Sequence, residues 1–161
     1  MNPSRQLERA RQQRKANKKF AARLRRRPPR DLDHQFHDLH AEAFERIDCL
    51  TCANCCKTTS PIFRDVDIDR LARHLGIRPA ELVEQHLHLD GEGDYVLNVA
   101  PCPFLGSDNY CSVYEARPRA CREYPHTDRK NMLQILPLTV RNTLVCPAVG
   151  WIMNELRQRA L

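Results

Sequence analysis

The 161-residue sequence has no run of about 18 apolar residues, the length that a membrane-spanning helix needs. Its first residues lead directly into charged ones, without the apolar stretch of a secretory signal. Gly91 and Gly93 lack the third glycine and the preceding strand that mark a phosphate-binding loop. We therefore expect a cytoplasmic protein without membrane contact, and no small-molecule substrate is indicated.

The sequence contains eight cysteines, about 5% of the chain, which is below the density of a disulfide-rich miniprotein. In a reducing cytosol, cysteines stay as thiols, and closely spaced ones are typical metal ligands. A disulfide framework is the alternative if the protein is exported.

Four of these thiols fall within eight residues, in the pattern C-x2-C-x2-C-C over residues 49–56. Buried cysteines that act as small apolar residues have no reason to recur at every third position. The same C-x2-C-x2-C spacing holds three corners of a [4Fe–4S] cluster in bacterial ferredoxins, where a further cysteine precedes proline. Two later cysteines here also precede proline, in Cys102-Pro103 and Cys146-Pro147. The pattern predicts a protein built around bound metal.

We predict that all eight cysteines are metal ligands: Cys49, Cys52, Cys55, Cys56, Cys102, Cys111, Cys121 and Cys146. Four thiolates are the usual complement of either a [4Fe–4S] cluster or a structural zinc ion. Adjacent side chains diverge, so Cys55 and Cys56 fit poorly on one tetrahedral ion. The favoured arrangement places Cys49, Cys52, Cys55 and one remote cysteine on a single cluster. The identity of the remote cysteine, and a second site including Cys56, stay open.

The spacing favours an iron–sulfur cluster, [4Fe–4S], over Zn²⁺, because zinc sites more often show two separated C-x2-C pairs. Arg117, Arg119 and Arg122 flank Cys121, where they would either lower thiol pKa values or pair with nearby glutamates. A catalytic alternative makes Cys121 or Cys56 a nucleophile with His126 as base. Metal binding accounts for the thiols as a set, and catalytic residues stay unidentified.

The positive charge is concentrated at the N-terminus. Residues 1–30 carry twelve Lys and Arg against one acid, a net +11, whereas residues 31–161 have a net charge of −5. We expect residues 1–30 to form a basic arm, helical or disordered, and residues 31–161 to form the cysteine-cluster domain. The arm suggests a nucleic acid or an acidic protein surface as partner; a solvated helix is the alternative.

Apolar periodicity predicts helices over 31–47, over 65–75 with an acidic first turn, from Pro79 to Leu87, and from Pro147 onward. Residues 95–99 and 133–140 are predicted as short strands. These elements indicate a mainly α or small α+β fold, with short helices and irregular cysteine-bearing loops stabilised by metal, and one short β-hairpin.

The chain resembles the YkgJ, or CxxCxxCC, cysteine-cluster family of zinc- or iron-chelating domains. The matching segments are residues 49–56, 102–105, 111–115, 117–126 and 146–148. The resemblance implies metal chelation with a structural, redox or oxygen-sensing role. A related module occurs in bacterial flagellin lysine methylases that bind an iron–sulfur centre, so a cluster-dependent enzyme or accessory for protein modification is an alternative. A zinc-stabilised module that binds nucleic acid through the arm is another. Methyltransferase activity is not transferred, since the chain has little room for a domain that binds S-adenosylmethionine.

Overall fold

The computed structural model describes residues 1–160, whose regular structure is nine α-helices and one two-stranded sheet. The helices are α1 Pro3–Gln12, α2 Arg14–Arg26, α3 Leu32–Arg46, α4 Asn54–Thr58, α5 Asp65–Leu75, α6 Pro79–His86, α7 Arg119–Glu123, α8 Leu136–Asn142 and α9 Pro147–Arg159. The strands are β1 Leu87–Leu89 and β2 Tyr95–Leu97, and 3₁₀ turns span Cys49–Thr51, Tyr114–Ala116 and Met132–Ile135. This mainly helical fold with one hairpin confirms the predicted class. None of the helices in residues 1–160 is long and apolar enough to cross a membrane.

The chain forms two packing units. The helical unit contains residues 1–52 and 125–160, and the hairpin unit contains residues 53–124. Residues 1–30 share a unit with the C-terminal helix, so the packing division falls elsewhere than the domain boundary expected at residue 30.

Helix α9 is the centre of the helical unit. Every residue from Pro147 to Asn154 is buried, because α1, α2, α3 and α8 all pack against this helix. Gly150 lets α1 approach closely, since a Cβ atom at this position would lie 3.2 Å from the Cβ of Ala10. The C-terminal helix predicted from Pro147 is thus the main support of this unit.

Helices α1 and α2 have two distinct faces. Leu7 and Ala10 of α1 and Phe20, Ala21 and Leu24 of α2 are buried, at spacings that place them on one side of each helix. All twelve Lys and Arg of residues 1–30 are exposed. Residues 3–26 therefore contribute both to the packing of the helical unit and to a strongly basic surface.

The hairpin unit is built on α5, α6 and the β1–β2 pair. The strands are antiparallel, with Leu87 opposite Leu97. Residues 95–97 of the predicted strand 95–99 form β2, and its partner β1 begins directly after α6 ends at His86. The main cluster of buried apolar residues in this unit contains Phe63, Ile68, Leu71, Ala72, Leu82, Leu87, Leu97, Val113 and Ala116.

The strand predicted over residues 133–140 is wrong. The segment forms the 3₁₀ turn Met132–Ile135 followed by α8. Pro137 lies in the first turn of α8, where its missing N–H has no intrahelical partner to lose and its fixed φ suits the helix. Leu136 and Val140 then bury one face of α8 at a spacing of four residues.

Candidate metal centre

The cysteine run begins in a tight turn after α3. The Asp48 carboxylate accepts a hydrogen bond from the Leu50 backbone N–H at 2.9 Å. The backbone N–H of Cys52 donates to the carbonyl oxygen of Cys49 at 3.1 Å. This winding brings the first two cysteines onto one turn of the helical unit.

Ala53 separates the first two cysteines of the run from the last two. Its φ of 47° lies in the left-handed region, which a residue with a Cβ adopts only at a cost. The chain then enters α4, which carries Cys55 and Cys56 in the hairpin unit. A motif that is continuous in sequence is therefore divided between two packing units.

Cys146 belongs to the helical unit and is the N-terminal cap residue of α9. Burial raises the pKa of the Cys146 thiol to about 11, the backbone N–H groups of Val149 and Ala148 lower it, and the charges of Cys49 and Cys52 raise it. Cys49 and Cys52 thus lie near enough to Cys146 for their charges to act on its thiol. We call Cys49, Cys52 and Cys146 the three-thiol group.

Cys102 of the hairpin unit uses the same Cys-Pro arrangement as Cys146. Burial raises the pKa of the Cys102 thiol, while the backbone N–H groups of Phe104 and Leu105 lower it. In both steps the proline has no N–H, and the N–H groups two and three residues after the cysteine face its sulfur. Hydrogen-bond donors around a sulfur ligand are a usual feature of iron–sulfur sites.

Backbone hydrogen bonds bring three cysteine-bearing segments of the hairpin unit together. The N–H of Cys102 donates to the carbonyl oxygen of Cys56 at 2.8 Å, and the N–H of Ser112 donates to that of Phe104 at 2.8 Å. Leu105 and Cys111 form an isolated β-bridge. The positions of Cys56, Cys102 and Cys111 are thus fixed by the backbone.

Cys121, in α7, completes a set of four thiols. Burial raises the pKa of Cys121 to about 12, and the charges of Cys56, Cys102 and Cys111 raise it as well, against a lowering by Arg117. The four sulfurs are close enough for their charges to interact. We call Cys56, Cys102, Cys111 and Cys121 the four-thiol group.

Cys55 lies beside this group. Its Sγ is 4.0 Å from the Sγ of Cys56. The hydrogen bond with Cys55 lowers the pKa of Cys56 to about 7, burial raises it, and Lys57 lowers it. Cys56 therefore ionises at a lower pH than Cys121, whose pKa of about 12 makes its thiol a poor nucleophile at neutral pH.

The sequence predicts that the arginines around Cys121 either lower thiol pKa values or pair with nearby glutamates, and the structure shows one arginine in each role. Arg117 lowers the pKa of Cys121, and its guanidinium lies 3.5 Å from the ring centroid of Tyr114. Arg119 instead forms an ion pair with Glu123. Only Arg117 thus contributes a positive charge to the thiols in the predicted way, and Arg119 contributes to the stability of α7.

Asp67 is a site-supporting residue that sequence reasoning missed. Its carboxylate is 1% exposed and accepts hydrogen bonds from the backbone N–H groups of Arg64 at 3.1 Å and Arg119 at 3.0 Å. It also pairs with Arg70, which donates to the carbonyl oxygen of Arg117 at 2.9 Å. Asp67 therefore fixes the start of α7, two residues before Cys121.

The sequence assigned Asp67 only to an acidic first helical turn. The available signal was its position three residues after the N-cap Arg64, where an acid completes a capping box. Burial raises the pKa of Asp67, but hydrogen bonds from Arg64, Arg70 and Arg119 outweigh it and lower the pKa below its ordinary value.

No disulfide joins any of the eight cysteines, all of which lie within residues 1–160. As the side chains stand, no group of three or more His, Cys, Asp or Glu residues in 1–160 forms a site for a single metal ion. Four sulfurs at about 2.3 Å from one zinc ion would lie about 3.8 Å apart. The thiols are grouped by the fold, but they do not converge on a point of that size.

The chain was also compared with known proteins. The model of the CxxCxxCC family, described as a putative zinc- or iron-chelating domain, matches residues 48–142. This range includes seven of the eight cysteines and leaves Cys146 outside. No curated protein and no solved structure matches the chain.

Proposed function

Because this chain belongs to the CxxCxxCC family of zinc- or iron-chelating domains, we propose that its four-thiol group holds an iron–sulfur cluster of the [4Fe–4S] type. The observation that carries the proposal is the backbone hydrogen bonding that holds Cys56, Cys102 and Cys111 in adjacent segments, with Cys121 near enough for their charges to act on it. Four thiolates are the complement that such a cluster takes.

The donor set fits this cluster chemically. The N–H groups of Phe104 and Leu105 face the sulfur of Cys102, and such groups stabilise the negative charge on a coordinating thiolate. The positive charge of Arg117 acts on Cys121 and would offset part of the charge of a thiolate-bound cluster. The hairpin unit thus supplies ligands, hydrogen-bond donors and a compensating cation.

Two features of the sequence favour a cluster over a single zinc ion. Cys102 and Cys146 each precede a proline, as does a cysteine ligand in ferredoxin-type clusters. Structural zinc sites more often use two separated C-x2-C pairs, and this chain has C-x2-C steps only in residues 49–56. Zinc is the second candidate metal, since both centres take thiolate ligands.

The role we propose first is structural. The four ligands come from α4, the segment after β2, the turn at Cys111 and α7, so a bound cluster would cross-link four parts of the hairpin unit. Burial keeps Cys121 protonated in the absence of metal, and ligand deprotonation then couples metal binding to pH and folding. When bound, the cluster also supplies one-electron redox chemistry, the basis of a redox or sensing role.

Cys146 is our candidate for the remote cysteine that accompanies Cys49 and Cys52. Its thiol lies near enough to both for their charges to raise its pKa. Its Cys-Pro step repeats the one at Cys102, with N–H groups facing the sulfur. The three-thiol group is therefore proposed as a second set of metal ligands, distinct from the four-thiol group.

The test is anaerobic purification with iron, zinc and sulfide analysis and a visible spectrum. We expect iron and sulfide in equal amounts, with broad absorption that is lost in Cys102→Ser, Cys111→Ser and Cys121→Ser alike. Ser107→Ala, an exposed residue in the turn between two of these ligands, is the matched control and should keep the full spectrum.

A colourless protein with stoichiometric zinc and neither iron nor sulfide would refute the iron–sulfur proposal and leave the zinc one. Cys146→Ser separates the two thiol groups, because it should leave the metal of the four-thiol group in place. Equal loss of all metal in Cys146→Ser and Cys121→Ser would contradict two distinct sets.

We also propose the cytoplasm as the compartment of this chain, because a reducing environment keeps closely spaced cysteines as thiols that can bind metal. Fractionation of cells that express the chain with its native termini tests this. Recovery in an exported fraction with oxidised thiols would contradict it.

A further inference from the structure

The basic face of the helical unit is a surface that metal binding does not use. It consists of the twelve exposed Lys and Arg side chains of residues 5–30. The single acid of this segment, Glu8, pairs with Arg11 at 3.4 Å. Of the twelve cations, only Arg11 forms an ion pair with a carboxylate within residues 1–160.

The apolar side of the same helices is already covered. Leu7, Ala10, Phe20, Ala21 and Leu24 are buried within the helical unit. A helix that binds a membrane surface needs its apolar face free to enter the lipid. The packing of α1 and α2 therefore argues against a membrane as the partner of the basic face.

The composition of the basic face also argues against an acidic protein. Protein interfaces draw most of their affinity from aromatic and other large anchors in their centre. Phe20 is the only aromatic residue of positions 1–30, and it is buried. The basic face therefore offers charge but no large exposed aromatic side chain that could anchor a protein interface.

A polyanionic backbone matches this charge pattern. At 1.5 Å per residue, α1 and α2 are roughly 15 Å and 20 Å long, so their cations recur every few ångströms. Double-stranded DNA carries one phosphate per about 1.7 Å of axis, and nine of the twelve cations are arginine, whose planar fork binds phosphate oxygens in pairs. Residues 31–161 have a net charge of −5 and repel the same polyanion, which directs it to this face.

We propose that the exposed face of α1 and α2 binds the phosphate backbone of a nucleic acid. The contact is electrostatic and independent of base sequence, because Lys and Arg on one face reach phosphates and no exposed aromatic residue in 1–30 offers base stacking. The proposal does not depend on which metal the cysteines hold.

The test uses the full chain with its metal and fluorescence anisotropy with a labelled 20-base-pair mixed-sequence DNA duplex and an RNA hairpin. Titrations between 50 and 200 mM salt should give a linear fall of log affinity with log salt. In Lys15→Gln/Lys18→Gln, both on the exposed side of α2, binding should weaken and the slope should fall by about 2.

The matched control is Arg73→Gln/Arg78→Gln, which removes the same charge from exposed positions of the hairpin unit and should leave the slope unchanged. Metal content, measured on each variant, should not change. The proposal is overturned by absence of binding at 50 mM salt or by an equal effect of the two double variants. Tighter binding to poly-glutamate or to anionic phospholipid vesicles than to either nucleic acid also overturns it, and assigns the face to an acidic protein or to a membrane.

Discussion

The helical unit and the hairpin unit achieve stability by different means. Seventeen buried apolar residues form the main cluster of the helical unit, and six of them belong to α9. Nine form that of the hairpin unit, with Cys102 and Cys111 packed against them at its margin. A small apolar cluster gives limited stability on its own, and metal or disulfide links commonly supplement it. The comparison suggests that the hairpin unit depends on metal for its fold and that the helical unit does not.

The largest expected effect is that of metal removal. Chelation, or Cys121→Ser, should abolish protection from hydrogen exchange across residues 53–124 while α9 stays protected. A structural metal in a small domain contributes on the order of 10 kcal/mol to folding. Hydrogen exchange followed by mass spectrometry gives the answer segment by segment. Unchanged protection of α5 and α6 without metal would show that the hairpin unit does not depend on metal for its fold.

A core truncation in the helical unit should give the opposite pattern. Phe36 of α3 is 0% exposed, and Phe36→Ala should lower the free energy of unfolding of this unit by about 3–5 kcal/mol. The four-thiol group should keep its metal and its visible spectrum. The measurements are urea unfolding followed by the fluorescence of Trp151, which belongs to this unit, and metal analysis. Loss of metal together with the helical unit would show that the two units are not separately stabilised.

Asp67→Asn should have the next largest effect and should act on the hairpin unit alone. The substitution weakens three interactions of a carboxylate that is 1% exposed, with Arg64, Arg70 and Arg119. Breaking a buried ion pair typically costs about 3–5 kcal/mol, and the partial exposure of Arg70 places the expected loss at about 2–4 kcal/mol. Asp69→Asn, at an exposed position of α5, is the matched control. Equal free energies of unfolding for Asp67→Asn and Asp69→Asn would show that Asp67 does not support the site.

The acid dependence of the same residue gives the smallest effect. Because the pKa of folded Asp67 is lowered, its contribution is fully present above the unfolded carboxyl pKa of about 3.9. The contribution is lost as pH falls through the folded value. The stability difference between the native chain and Asp67→Asn should thus be constant from pH 7 to about pH 5 and should shrink below about pH 4. Hydrogen exchange in residues 53–124 of the two metal-loaded chains, compared at each pH at which both keep their metal, tests this. A stability difference that already shrinks between pH 7 and pH 5 would contradict the pKa shift.

Much of the fold could be predicted from local sequence. Three features give signals within a few residues: the end of α5 at Leu75, the prolines that begin α6 and α9, and the cysteine run of residues 49–56. The errors have non-local causes. Residues 133–140 were assigned to a strand because apolar content alone does not separate a short strand from a buried helix. The domain boundary at residue 30 stays a prediction, although α1 and α2 pack with α9.

The grouping of the thiols could not be predicted, since sequence spacing gives no distance between remote segments. The run of residues 49–56 suggested one loop around one cluster, and that joint use of Cys49, Cys52 and Cys55 stays a prediction. Charge interactions connect Cys146 with the first two cysteines and connect Cys121 with Cys56, Cys102 and Cys111. One Cys-Pro step occurs in each packing unit, and the role of all eight cysteines as metal ligands stays a prediction.

Ala53 has a left-handed backbone at a position of the cysteine run that carries no ligand. A non-glycine residue in this conformation costs roughly 1–2 kcal/mol, so Ala53→Gly should remove this cost and a β-branched residue should increase it. Both changes leave all four sulfur atoms of the run in place and act only on the backbone that connects them. A spacer position that the C-x2-C-x2-C-C pattern leaves open therefore still restricts which residues fit between the cysteines.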